Sequence, residues 1–189
     1  MPHKAKHPSP MRPLPGDRPH AETVEEMIRV DHAGEYGAAR IYAGQLAVLG
    51  HHHRLSPLIR HMEEQEARHL ARFDAILTER QVRPSLLSPF WHVAGFALGA
   101  GTALMGERAL MACTAAVEEV IEDHYEQQRT ALGESEPELA ATIADFQAEE
   151  AEHRETAIAH GAKDTPGYGL LASAIKTGCR AAIALAKKI

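Results

Sequence analysis

The chain has 189 residues, 44% of them hydrophobic, with 26 acidic against 20 basic side chains and a net charge of -6 at pH 7. It is long enough for one domain with a sizeable core and carries the wrong charge for a general nucleic-acid binder. Its only cysteines, Cys113 and Cys179, are too few for rubredoxin, zinc-ribbon or iron-sulfur ligation and point to a reducing compartment.

The opening stretch MPHKAKHPSPMRPLPGDRPH has basic residues but no apolar run, and its prolines forbid the amphipathic helix of a transit peptide. It predicts a disordered leader over residues 1–21, with 22–189 forming a single domain. From Thr23 the turn residues thin out and helix formers dominate, so the domain is all-α. A first helix is predicted over 24–49, ended by Gly50 and a solvated loop containing His51, His52 and His53. Pro57 suits a first helical position and opens a second helix, 57–80.

Residues 86–105, LLSPFWHVAGFALGAGTALM, are apolar but interrupted by Pro89, Gly95, Gly99 and Gly101, with Phe90 and Trp91 at the edge. No run reaches the length of a simple membrane-spanning helix, so this segment predicts shallow insertion at a membrane interface. Its small residues also allow close helix packing, including that of a homo-oligomer. Two further long helices are expected over 107–132 and 137–160, stopped by Gly133 and Gly161. The last segment, 167–188, puts Leu171, Ile175, Cys179, Ala182 and Ala186 on one side. Lys176, Arg180, Lys187 and Lys188 lie nearby to meet anionic headgroups, and the competing expectation is packing of this helix on the bundle or on a second subunit.

The four long helices conceal a repeat. On the second, steps of three and four residues align Ile59, Met62, Glu66, His69, Phe73 and Ile76; on the fourth they align Leu139, Ile143, Phe146, Glu150, His153 and Ala157. One helix upstream of each Glu-x-x-His pair, a lone glutamate occupies a core stripe. Glu35 lies among Asp31, Ala38 and Tyr42, and Glu118 among Thr114, Ile121 and Tyr125. The two helical hairpins therefore bring the same three ligand types together around a pseudo-twofold axis.

Residues three apart share a helix face, so Glu66 with His69 and Glu150 with His153 can each hold one metal ion, and Glu35 and Glu118 each add a carboxylate. Burying one bare carboxylate costs on the order of 20 kcal/mol in the idealised limit and several kcal/mol after relaxation. The stripes contain no lysine or arginine to offset four of them, whereas two divalent ions balance the charge. Oxygen donors with one imidazole per ion suit iron or manganese better than zinc or copper, and iron is the expectation. The pattern resembles the ferritin-like di-iron carboxylate bundles.

Four further residues are candidates for supporting roles. Asp31 and His32, one turn before Glu35, are candidates to orient a metal-bound imidazole, against the plain reading of polar residues near a helix start. Tyr125, on the stripe of Glu118, is a candidate to pass protons or electrons or else a core tyrosine. His124 neighbours that stripe. Glu63, Glu64, Glu119, Glu122, Glu149 and Glu152 lie off the stripes and read as surface charges.

RVDHAGEYGAARIYAGQ (residues 29–45), EEQEARH, LGAGTALMGERALMACTAAVEE (98–119), DHYEQQ and EEAEH together resemble the demethoxyubiquinol hydroxylases of ubiquinone biosynthesis, from about Glu22 to the C-terminus. The resemblance implies that the iron ligands are Glu35, Glu66, His69, Glu118, Glu150 and His153, with Glu66 and Glu150 bridging two Fe ions. It implies an O2-dependent monooxygenase that hydroxylates the ring of a polyprenyl demethoxyubiquinol, with electrons from an external reductant such as NADH. The leader lacks the presequence of eukaryotic relatives and the GHHHRLSP loop is unusual, which favours a bacterial member, peripheral on the cytoplasmic side of the inner membrane. A lipid-presenting accessory protein is a further expected partner, though no motif in the sequence marks it. Three other functions compete: a ferritin-like iron-oxidising or storage protein, a peroxide-reducing bundle, and a metal-free helical adaptor, which the uncompensated carboxylates disfavour.

Overall fold

A computed structural model describes residues 20–188, and the greater part of the expected leader lies outside them. Six α-helices account for almost all of the described chain: α1 (His20–Leu49), α2 (Ser56–Arg80), α3 (Ser88–Leu104), α4 (Glu107–Leu132), α5 (Pro137–Ala159) and α6 (Tyr168–Ala186). A single 3-10 turn at Ala162–Asp164 precedes α6, and no strand occurs among the described residues. His20 and Ala21, expected in the leader, belong to α1. Nothing in the stretch after Pro19 interrupts a helix, and burial of Val24 and Ile28 anchors its first turns.

Helices α1, α2, α4 and α5 form a four-helix bundle with two separate apolar plugs. One contains Tyr42, Ile59, Met62, Leu110, Met111 and Ala157. The other contains Ile28, Phe73, Ile76, Tyr125, Leu139 and Ile143. Each helix runs from one plug to the other, and between them its inward position is filled by Glu35, Glu66, Glu118 or Glu150, all at most 1% exposed. The apolar ends thus hold four carboxylates at mid-height in the bundle, where water would otherwise solvate them.

Residues 86–105 were expected to be interrupted by their proline and glycines, yet α3 runs unbroken from Ser88 to Leu104. Pro89 sits in the first turn, where its missing N–H costs nothing. Two of the glycines face α1. A Cβ at Gly99 would stand 1.9 Å from the Ile41 carbonyl oxygen, and one at Gly95 would stand 2.8 Å from that of Gly37. The helix-propensity cost of about 1 kcal/mol per glycine is offset by backbone-to-backbone approach of α3 onto α1.

Gly99→Val is therefore expected to destabilise the fold by about 1–3 kcal/mol, because the atom it would strike is backbone and cannot rotate away. Gly101 has no atom within 4 Å of its Cβ position. Gly101→Ala should be neutral or stabilising by up to about 1 kcal/mol. Thermal melts of the two variants check the contrast, and equal Tm values would contradict this packing.

The side of α6 expected to meet lipid is instead largely turned to the bundle. Ala172, Ile175 and Ala186 are buried, with Leu171, Cys179 and Ala182 packed beside them. Lys176 donates to Glu119 at 2.5 Å, so that pair, rather than a headgroup and a free surface charge, is what the structure shows. Trp91, expected at an interface, is buried against Val30, Ala33 and Ala186. Among the described residues the exposed large apolar side chains are Leu86, Phe90, Val93, Leu104, Met105, Leu170 and Leu185, which lie on or near α3 and α6. By length and composition α6 is also the one described helix that passes as a candidate membrane span.

Candidate metal centre

Each hairpin delivers its side chains to mid-height by helical register. Helices α2 and α5 present Glu-x-x-His on one face, while α1 and α4 present one glutamate each. The structure brings Glu35, Glu66, His69, Glu118, Glu150 and His153 into one cluster with no lysine or arginine paired to any of them among the described residues. Glu35, Glu66, His69 and Glu150 offer donor atoms within 4.8 Å of one another, and so do Glu66, Glu118, Glu150 and His153. Glu66 and Glu150 belong to both groups, which is where residues shared between two ions would have to be.

Both histidines point Nδ1 inward. His69 Nδ1 lies 3.1 Å from Glu150 Oε1 and 3.3 Å from Glu35 Oε2. His153 Nδ1 lies 3.3 Å from Glu66 Oε1 and 3.4 Å from Glu150 Oε2. Eight buried atoms of the six residues lack a hydrogen-bond partner: both oxygens of Glu66 and of Glu150, one each of Glu35 and Glu118, and the two Nδ1 atoms. Orphaned buried acceptors of this number are costly unless cations satisfy them, and hard oxygen donors with one imidazole on each side fit a pair of divalent iron or manganese ions.

The electrostatics tell the same story. Burial, then repulsion from Glu150 and the other carboxylates, pushes the Glu66 and Glu118 carboxyls well above their ordinary range. Burial also opposes ionisation of Glu150, but the flanking His153 and His69 rings overcome it and hold Glu150 below that range. For His69, burial disfavours the charged ring, yet Glu150 and Glu35 outweigh it and lift its pKa to about 10. Protons thus do inside the cluster what metal ions would do better.

Two tyrosines cross the pseudo-twofold axis. Tyr42, seven residues after Glu35 on α1, donates to Glu118 at 2.5 Å. Tyr125, seven residues after Glu118 on α4, donates to Glu35. Burial and the adjacent carboxylates raise both hydroxyls well above 10, so both remain phenols and act as donors. Tyr125 was a candidate from its stripe. Tyr42, which is not among the candidates read from the sequence, stands at the same seven-residue offset from Glu35.

Neither Asp31 nor His32 is hydrogen-bonded to His69 or His153. Asp31 accepts from Gln128 at 2.6 Å, and the same amide lies 3.1 Å from His124 Nε2. Burial raises Asp31 well above its usual range, and burial together with Lys187 lowers His124 to about 4. His32, buried on α1, meets Asp74 Oδ1 of α2 through Nε2 at 2.9 Å. The outward nitrogens of the two inner histidines go elsewhere: His69 Nε2 to Glu149 at 3.1 Å and His153 Nε2 to Gln65 at 3.0 Å. Glu149 is therefore not a plain surface charge. Its signal was present, since Gln65 and Glu149 each immediately precede a glutamate of the repeat. The ring of Phe146 stacks on His69 at 3.9 Å between centroids and fixes its plane.

Beside the cluster, an apolar cavity of about 560 Å³ lies between α1, α3, α4 and α6. Ala38 and Gly34 beside Glu35, and Val117 and Ile121 beside Glu118, form part of its wall, while the 58%-exposed Phe90 stands at its edge. The lining is apolar, of the kind that suits a hydrocarbon chain, and none of the six clustered residues belongs to it.

Comparison with known proteins adds an independent line. The family described as Ubiquinone biosynthesis protein COQ7 matches residues 22–186. A 3-demethoxyubiquinol 3-hydroxylase of Rhodospirillum rubrum is 52% identical over 176 residues, covering 93% of this chain and 83% of the relative. The NADPH-dependent 3-demethoxyubiquinone 3-hydroxylase, mitochondrial, of Homo sapiens is 49% identical, covering 88% of this chain and 78% of the relative. The 5-demethoxyubiquinone hydroxylase, mitochondrial, of Saccharomyces cerevisiae is 43% identical, with coverage of 89% and 79%.

Proposed function

The chain belongs to the family of Ubiquinone biosynthesis protein COQ7 and is a hydroxylase of a demethoxyubiquinol ring in ubiquinone biosynthesis; on that premise we propose that its six buried carboxylate and imidazole groups hold two iron ions. One observation carries the metal reading. Four carboxylates share a core at most 1% exposed, with no lysine or arginine paired to them among the described residues and with two of the four common to both donor groups. Iron bound there would supply the activation of O2 and the insertion of one oxygen atom into the ring.

The balance of the reaction requires two electrons and two protons, with the second oxygen leaving as water. The relative from Homo sapiens is named as NADPH-dependent, and a nicotinamide is the proposed source of the electrons. What this chain contributes is position. Glu35 and Glu118 are held by the tyrosine hydroxyls that cross the axis, the two apolar plugs keep bulk water from the centre, and the cavity walled by Ala38, Val117 and Ile121 seats the polyprenyl tail.

The exposed apolar residues of α3 and α6, with Arg180, Lys187 and Lys188 nearby, support peripheral binding at a membrane surface from which the tailed substrate is drawn. For a bacterial protein that surface is the cytoplasmic side of the inner membrane. The same face is the proposed contact for a second copy or for an accessory protein that presents the lipid.

The test is to supply iron-loaded, reduced protein with a demethoxyubiquinol and 18O-labelled O2 and to follow the quinol by mass spectrometry. Incorporation of one labelled oxygen atom in the ring is the expected result. Oxidation and accumulation of iron with an unaltered quinol would overturn the proposal in favour of storage.

A further inference from the structure

The outward nitrogens of the two histidines are joined. His153 Nε2 meets Gln65 Oε1 at 3.0 Å, Gln65 Nε2 donates to Glu149 Oε2 at 2.9 Å, and the same oxygen lies 3.1 Å from His69 Nε2. Arg68 Nη2 also donates to Glu149 Oε2, at 3.1 Å. A continuous strap therefore runs from one imidazole to the other across the seam between α2 and α5.

The direction of every hydrogen bond in the strap follows from one group. A carboxylate only accepts, so the Gln65 amide must turn its nitrogen to Glu149 and its oxygen to His153. His153 must then carry its proton on Nε2, and His69, facing the carboxylate directly, must do the same. In the neutral form of either ring the lone pair is left on Nδ1, the atom that faces the glutamates. Glu149 thus sets the tautomer of both rings, although it touches only one.

The strap is also unequal. Gln65 and Glu149 hold equivalent places in the repeat, each just before its ExxH glutamate, yet one is a neutral amide and the other a carboxylate. An imidazole backed by a carboxylate is a stronger metal donor than one backed by an amide, and such partners change metal affinity by about 10–100-fold. Helix geometry supplies near-twofold symmetry, and this one difference in side-chain chemistry breaks it.

We propose that Gln65 and Glu149 act together as positioning residues that make the two metal positions different, so that the His69 side fills first and holds its ion more tightly. The inference rests on the two-metal reading given above. The test titrates the metal-free full-length chain with Mn(II) and counts free ion by electron paramagnetic resonance, which needs no turnover. Wild type should bind two ions in two resolved steps. Glu149→Gln, nearly isosteric and on a partly exposed side chain, should weaken the first step about 10–100-fold and merge the two.

The double variant Gln65→Glu with Glu149→Gln moves the carboxylate to α2 and can mirror the whole strap. It should restore two unequal steps, which a merely structural role for Glu149 does not predict. Two ions bound in equal steps by wild type, or a Glu149→Gln titration that matches wild type, would overturn the strap alone. Failure of wild type to bind any ion pair would overturn the two-metal reading and the strap with it.

Discussion

Glu150→Gln is expected to abolish ring hydroxylation, by a factor of about 10³ or more, which corresponds to at least about 4 kcal/mol of lost transition-state stabilisation. Glu150 is the carboxylate that faces both Nδ1 atoms, and both of its oxygens lack a hydrogen-bond partner. Glutamine keeps the volume and the helix propensity but replaces one oxygen by an N–H donor aimed at atoms that must themselves donate lone pairs. A charge shared by both positions is lost, so both should lose metal. Far-UV circular dichroism should stay close to wild type, because the apolar plugs above and below are untouched. Metal analysis alongside the product assay checks the cause: a variant that retains two ions and full turnover would remove Glu150 from the centre of the chemistry.

Metal removal should change both the stability of the protein and the sign of its pH dependence. In the metal-free protein the folded-state pKa values of Glu66 and Glu118 are raised by burial and by neighbouring carboxylates. That of His69 is raised to about 10 by Glu150 and Glu35, which outweigh the opposing effect of burial. A group whose folded pKa is raised contributes stability that is complete below its unfolded pKa and is lost as pH rises through the folded value. For His69 this window runs from about 6.5 to about 10. Glu66 and Glu118 act in the same direction from a lower starting point. The metal-free protein should therefore melt at a higher temperature near pH 6 than near pH 9.

The loaded protein should behave differently, because the ions require deprotonated carboxylates and a free Nδ1, and protons compete with them. Each ion at about a thousandfold excess over its Kd adds about 4 kcal/mol. In a chain of this size 1 kcal/mol moves Tm by about 2–4 °C. The gap between loaded and metal-free Tm should accordingly exceed about 10 °C and widen from pH 6 to pH 9. Calorimetry with ferrous iron under anaerobic conditions, against a chelator-treated sample, measures it. Coincident melts at every pH, or a metal-free protein that gains stability on going from pH 6 to pH 9, would contradict the charge account of the cluster.

Both expectations come from a pattern written in the local sequence. Helix periodicity is a property of neighbouring residues, so Glu66 with His69 and Glu150 with His153 declare a shared face wherever the helices go. The repeat then selects Glu35 and Glu118 from many other glutamates, because each stands in the same place in its own half. The absence of lysine and arginine from those stripes announced that the charges need another partner. In this way the bundle and the six clustered residues are legible in the sequence.

What the tertiary structure alone decided concerns contacts between helices, which spacing along one helix cannot encode. Glycines that looked like breaks in α3 proved to be contact points, because their meaning depends on the Ile41 and Gly37 carbonyls of another helix. Trp91 and the Ile175 side of α6 read as a membrane surface from composition, since an apolar stripe looks the same whether lipid or protein covers it; here α1 and α4 do so. Asp31 and His32 stand one turn from Glu35, yet their hydrogen-bond partners are Gln128 and Asp74 rather than the two inner imidazoles. The role of Gln65 and Glu149 shows only between helices, where each reaches a histidine on the opposite helix. Sequence determined which side chains share a face, because that follows from 3.6 residues per turn. Folding determined which faces meet, because that follows from how whole helices pack.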